Sequence, residues 1–123
     1  MKETILVVED DTSILTHMVM MLERENFFVL PASKPRHALD LAKKHNSKIS
    51  LLVTDMIMPE MNGIDLADQV RLVCPFVPCI FISGYSDENL PVGPNGESPD
   101  FLPKPFTSVS LVLKVREVLA RGE

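Results

Sequence analysis

The chain has 123 residues, a formal net charge of −5 and 46% hydrophobic residues, which suits one globular domain over 1–123 and leaves little room for a second. No apolar run approaches the roughly 18 residues of a membrane-spanning helix, and the start, Met1-Lys2-Glu3-Thr4, lacks the apolar stretch and cleavage site of a signal peptide. The sequence therefore reads as soluble and cytoplasmic, without membrane contact, and its acidic balance weighs against direct nucleic-acid binding.

Ile5-Leu6-Val7-Val8 is the first element, a β-branched-rich run too short for a helix. Leu15, Met18, Val19 and Leu22 follow at i, i+3, i+4 and i+7, one face of a helix that Thr12 or Ser13 can cap. Phe27-Phe28-Val29-Leu30 is a second strand, and Ala38, Leu41 and Ala42 mark a second helix with Pro35 near its first turn. Leu51-Leu52-Val53 predicts a third strand, and Ile64, Ala67 and Val70 a third helix opening near Asn62-Gly63. Cys79-Ile80-Phe81-Ile82 is a fourth strand.

A fourth helix belongs next, but residues 91–99 hold three prolines and two glycines. That composition breaks a regular helix, so one or two turns around Ser86 to Leu90 are expected, then a loop. Phe101-Leu102 is a short fifth strand. Leu111, Val115 and Val118 line a last helix starting near Thr107 or Ser108, with Lys114, Arg116, Glu117 and Arg121 on its other side. Strands apolar on successive residues are buried on both faces, so repeated β-α order predicts an α/β fold with a parallel sheet covered by helices.

In such a sheet, sites form at the carboxyl ends of strands. The first strand is followed by Glu9-Asp10-Asp11, the third by Thr54-Asp55, the fourth by Ser83-Gly84 and the fifth by Pro103-Lys104-Pro105. If the first and third strands are neighbours, Glu9, Asp10 and Asp55 converge and repel unless a cation joins them. Oxygen-only ligands suit Mg²⁺ or Mn²⁺ better than Zn²⁺. The acids following the first strand also suit a plain helix N-terminus, favoured by its dipole. Lys104, fixed between two prolines, can neutralise an incoming phosphoryl group, and Ser83 can donate a hydroxyl hydrogen bond to it. The chemistry these residues suit together is phosphoryl transfer to Asp55.

Four stretches carry a family resemblance: Ile5 to Asp11, Asp55 to Gly63, Phe81 to Gly84 and Phe101 to Phe106. In order and spacing they resemble the receiver domains of response regulators, with similarity from about Thr4 to Leu119. The resemblance implies a flavodoxin-like, doubly wound five-stranded sheet in the order 2-1-3-4-5. It implies that Asp55 accepts the phosphoryl group, and that Asp10 binds Mg²⁺ directly while Glu9 acts through water. The Ile57 carbonyl is then the third protein ligand. Ser83 and Phe101 are the switch residues, Lys104 binds phosphate, and the bond before Pro105 is cis. Phosphorylation then switches the face made by the fourth helix, fifth strand and fifth helix. The implied partner is a sensor histidine kinase or phosphotransfer protein, and a phosphorylation-dependent homodimer is open to the chain.

Ser83-Gly84-Tyr85 and the stretch from Lys114 to Leu119 look more like receivers of hybrid sensor histidine kinases than those of DNA-binding regulators. The chain is expected to be either a stand-alone regulator or a receiver cut from a longer protein.

Three other readings fit less well. An aspartyl-nucleophile phosphatase needs a second Asp two residues after Asp55, where Ile57 stands. A receiver-like interaction module that is never phosphorylated would be expected to lack an acid or the lysine. A nucleotide binder would need a Gly-rich or Ser/Thr-rich loop after the first strand, where acids stand. The chain is therefore expected to accept a phosphoryl group rather than to turn over a substrate. Cys74 and Cys79 match no metal or redox spacing and read as reduced thiols. His17, His37 and His45 read as surface or boundary residues.

Overall fold

A computed structural model describes residues 2–84 and 100–121. Among these residues the elements are β1 (Thr4–Val8), α1 (Thr12–Arg24), β2 (Phe28–Ala32), α2 (Pro35–Lys44), β3 (Ile49–Asp55), α3 (Gly63–Val73), β4 (Cys79–Ser83), β5 (Asp100–Pro103) and α4 (Ser108–Arg121). The strands form one parallel sheet in the order β2-β1-β3-β4-β5, as expected. The chain winds outward in both directions from β1 and β3, so the first and third strands are indeed neighbours. The expected turns around Ser86 to Leu90 lie outside the described residues, so α4 corresponds to the fifth helix of the sequence reading.

Alternate strand residues feed two cores. Ile5, Val7, Val53 and Ile80 face α1 and α4, packing on Leu15, Met18, Leu22, Leu111 and Val115. Leu6, Val8, Leu52 and Phe81 face α2 and α3, packing on Ala38, Ala42, Leu66 and Val70. The central strands carry successive apolar residues, Ile5 to Val8, Leu51 to Val53 and Cys79 to Ile82, because both of their faces are covered. The edge strand β2 differs: Phe28 and Pro31 are exposed. Pro31 has no N–H to offer an outside strand, which protects that edge. In α1, Met21 is buried where the periodicity pointed to Val19, which packs at the margin of the core.

The helix starts explain how the loops beside the sheet hold their shape. Asp11, not Thr12 or Ser13, caps α1; its Oδ1 accepts from the amides of Ser13 (2.9 Å) and Ile14 (3.2 Å). Aspartate accepts two amides at once and adds favourable charge at the positive helix end, which a hydroxyl does not. Asn62 caps α3 through the Asp65 amide at 2.8 Å. Thr107 caps α4, its Oγ1 accepting from the Ser110 amide at 3.0 Å while Ser110 Oγ accepts from the Thr107 amide at 2.9 Å.

Candidate functional site

The sheet order brings the carboxyl ends of β1, β3, β4 and β5 to one edge, and the sequence-derived residues gather there. Asp55 ends β3 and is 6% exposed; Glu9 follows β1 and is 1% exposed; Asp10 beside it faces solvent. Carboxylate oxygens of Glu9, Asp10 and Asp55 all lie within 4.8 Å of one another. Lys104, just past β5, reaches back across the sheet end. Its Nζ lies 3.1 Å from Asp55 Oδ2 and 3.4 Å from Glu9 Oε1. The Lys104–Pro105 bond is cis, and the Lys104 amide donates to the Ser83 carbonyl at 2.9 Å, tying that loop to the end of β4.

Ser83 is buried at the last position of β4, paired in register with Pro103. The Ile57 amide points at Asp55 Oδ1 across 3.4 Å, while the Ile57 side chain is 65% exposed. Phe101 is half-buried beside Phe81 and packs against the core shared with α2 and α3.

The acids after β1 divide their roles. Asp11 serves the helix, whereas Glu9 turns inward and accepts the Asp11 amide on Oε2 at 3.0 Å. The other Glu9 oxygen, Oε1, is fully buried and receives no hydrogen bond from any described residue. Its 3.4 Å approach to Lys104 is an ionic contact without hydrogen-bond geometry. A buried orphan oxygen of this kind normally has a partner. Three carboxylates face one ammonium, all donors are oxygen, and Asp10 is open to water. This set fits a hard divalent cation that keeps part of its water shell.

Burial, above all, pushes the Glu9 carboxyl up to about 7, and the neighbouring Asp55 charge adds to this against the pull of Lys104. Burial works against the Lys104 ammonium, but its hydrogen bond to Asp55 and the charges of Glu9 and Asp55 hold it above the ordinary lysine value. In metal-free protein the Glu9 shift has a sign that can be tested. Between the ordinary glutamate value and about 7 the folded chain holds a proton that the unfolded chain has lost, so stability falls as pH rises through that window. Metal-free protein is expected to lose on the order of 1–3 kcal/mol between pH 4.5 and pH 7 through this group. Chemical denaturation across that range measures it. Glu9→Gln should flatten the slope; an unchanged slope would assign it to another group.

Some of the site was not legible in the residues alone. Gly63 opens a helix and closes the stretch that begins at Asp55, but its residue type does not show that its backbone runs directly over Asp55 and Met56. Its amide donates to the Met56 carbonyl at 2.9 Å. Glu60, in the same loop, adopts a left-handed backbone with φ 73°, which nothing in its residue type announces. The thiols are as expected: Cys74 and Cys79 are free and buried, and burial raises both above the ordinary thiol value, which keeps them unreactive. His17 and His37 are exposed and His45 is half-buried. Among the described residues no helix is long and apolar enough to cross a membrane.

Comparison with known proteins points the same way as this geometry. The model of the response regulator receiver domain matches residues 5–116. The chain is 32% identical to the sensor kinase CckA of Brucella abortus over 98% of its own length and 13% of that protein. It is 34% identical to the transcriptional regulatory protein SrrA of Staphylococcus aureus over its full length and 50% of that protein. The chain thus spans half or less of these curated relatives. Among solved structures, the receiver domain of the hybrid histidine kinase CckA superposes with a TM-score of 0.81 at 32% identity, covering 94% of this chain and 98% of that one. The chemotaxis protein CheY4 of Vibrio cholerae shares the fold, with a TM-score of 0.85 at 24% identity over 96% of this chain and 99% of that one.

Proposed function

Because this chain belongs to the response regulator receiver domains of two-component signalling, we propose that it accepts a phosphoryl group on Asp55 from a phosphohistidine of a sensor kinase or phosphotransfer protein, in a Mg²⁺-dependent step. The observation that carries the assignment is the position of Asp55. It is the carboxylate at the end of a central strand that has two further acids within 4.8 Å and an ammonium 3.1 Å from one oxygen.

An Asp55 oxygen attacks phosphorus, and the bond from phosphorus to the donor's imidazole nitrogen breaks. The electron pair leaves with the imidazole, which then takes a proton from water. Asp10, Asp55 and the Ile57 carbonyl would hold Mg²⁺, with Glu9 beside them, and when bound the ion would supply charge neutralisation for the transferring group. Lys104 gives up part of its contact with Asp55 to pair with a phosphoryl oxygen, and Ser83 donates its hydroxyl to another. Phe101 follows Ser83 and changes its packing, which carries the state of the site to the face that includes β5 and α4. The domain works as a phospho-acceptor rather than a turnover enzyme.

A groove of about 570 Å³ lies directly beside Lys104 between α1 and the β5–α4 loop, lined by Ile14, His17, Met18 and Phe106. The free thiols fit a reducing compartment such as the cytoplasm. The resemblance to CckA favours a receiver of the hybrid-kinase type.

Intact mass after incubation with acetyl phosphate tests the reading. A gain of one phosphoryl group with Mg²⁺ present, lost when the metal is chelated, is the expected result. No gain from acetyl phosphate or from a phosphorylated histidine donor, in protein shown to be folded, would leave an interaction module that is never phosphorylated.

A further inference from the structure

Asn62 and Gly63 join the turn after Asp55 to α3, with the Gly63 backbone directly over that of Asp55. An asparagine followed by glycine is prone to lose its side-chain amide without any enzyme, since asparagine is thermolabile and glycine has no Cβ to shield its own amide. In that reaction the Gly63 nitrogen bonds to the Asn62 side-chain carbonyl carbon and closes a five-membered succinimide. The Gly63 N–H proton passes to the departing amide, which leaves as ammonia. Water then opens the ring at one carbonyl or the other, giving aspartate or isoaspartate. Isoaspartate routes the main chain through the former side chain and lengthens it by one methylene.

Asn62 is exposed, so solvent reaches it, but the folded turn commits the reacting groups to other partners. Oδ1 of Asn62 accepts the Asp65 amide at 2.8 Å. The Gly63 amide, the nucleophile, donates to the Met56 carbonyl at 2.9 Å, and the Asn62 carbonyl accepts the Leu66 amide at 3.0 Å. Gly63 is buried, without space for even a Cβ beside the Asp55 carbonyl. Ring closure turns the Gly63 nitrogen towards the Asn62 side chain. These hydrogen bonds must then break, and the first turn of α3 must rise from β3.

We infer that Asn62-Gly63 is a gated deamidation site, at which the ring closes only when the first turn of α3 lifts away from Asp55, and that the isoaspartyl product then keeps this turn from closing. Openings of this kind are local and cost less than global unfolding, so the rate of the reaction reads how often the start of α3 comes loose. The two products differ in effect. Aspartate accepts the Asp65 amide as asparagine does and suits the positive helix end. Isoaspartate puts an extra main-chain atom where the backbone already lies against Asp55, so it displaces the cap and the acceptor together. Only this effect on Asp55 rests on the phospho-acceptor reading; the gate does not.

Peptide mapping by mass spectrometry tests the gate. The natural chain is kept in mildly alkaline buffer, folded or in urea. Conversion at Asn62 is followed beside the other Asn-Gly pair of the sequence, Asn95-Gly96, which lies outside the described residues. In urea both pairs should convert at similar rates. In the folded chain Asn62 should convert roughly tenfold or more slowly than in urea. Conversion at Asn62 as fast in the folded chain as in urea would overturn the gate. An Asn62 that stays intact in urea while Asn95 converts would overturn the site.

A second readout follows the product. An Asn95→Gln chain, converted at Asn62 in urea and refolded, is given acetyl phosphate with Mg²⁺ beside the same chain refolded at once and an Asn62→Asp chain. The Asn62→Asp chain should gain the phosphoryl group at the natural rate, and the isoaspartyl chains roughly tenfold or more slowly. Equal rates in all three would show that isoaspartate leaves the turn able to close, against the inference. If no chain gains the group, the acceptor reading falls, and the mapping still decides the gate.

Discussion

Asp55→Asn is expected to abolish phosphoryl incorporation and to leave the fold standing. The asparagine fills the same volume at a position only 6% exposed, and its carbonyl oxygen can take over the contact that Oδ1 makes with the Ile57 amide. What it lacks is the anionic oxygen that attacks phosphorus, so the rate should fall by at least about a thousandfold. Stability should hold or rise. Three converging carboxylates become two, and Lys104 keeps Glu9 at 3.4 Å as a partner. The Asp55 charge is one of the influences that raise the Glu9 carboxyl, so the variant should also lose part of the fall in stability between pH 4.5 and 7. Intact mass and a pair of denaturation curves measure both effects. A phosphoryl gain that survives in Asp55→Asn would move the acceptor to another carboxylate, with the exposed Asp10 first in line.

The parts of this molecule that sequence makes legible are those whose cause is local. A run such as Ile5 to Val8 declares a strand covered on both faces because each of its side chains must be buried. The acids at the strand ends declare a site because nothing in a parallel sheet needs charge there. Where the cause lies in another part of the chain, the residues are silent. The run from Phe27 to Leu30 reads as buried on both faces like the others, yet Phe28 faces outward, because in the sheet order β2 is an edge. The acids Glu9, Asp10 and Asp11 could not be sorted into helix cap and metal ligand by spacing. That division depends on which way each side chain turns relative to β3 and Lys104. Lys114 and Arg121 looked like the solvated side of the last helix. They hold a buried carboxylate instead, because β5 begins with Asp100 beneath them.

Gly63 is the position where packing and site meet most closely, and Gly63→Ala is expected to damage both. Gly63 is buried as the first residue of α3. A Cβ built there would overlap the carbonyl oxygen of Asp55 and come within 3.0 Å of Met56 Cα and 3.1 Å of the Asp55 carbonyl carbon. All three atoms are backbone, so no side chain can rotate away. Either α3 shifts outward or the turn after β3 deforms. In a helix interior alanine is favoured over glycine by about 1 kcal/mol, and that gain opposes the clash here. Overpacking against a fixed backbone costs more, so a net loss of about 2–3 kcal/mol is expected, or roughly 10 °C in Tm for a chain of this size. The displaced atoms belong to Asp55 and to Met56, whose amide donates to the Ile82 carbonyl at 2.9 Å. Phosphorylation should therefore slow by roughly tenfold or more even at temperatures where the variant is fully folded, because small misplacements of a reacting group are costly. Gly84→Ala is the control, since a Cβ there meets nothing within 4 Å among the described residues. Equal melting temperatures for the two variants would show that α3 has room to move. A Gly63→Ala chain that is less stable yet phosphorylated at the natural rate would show that the turn carrying Asp55 is held by the sheet rather than by the helix packed over it.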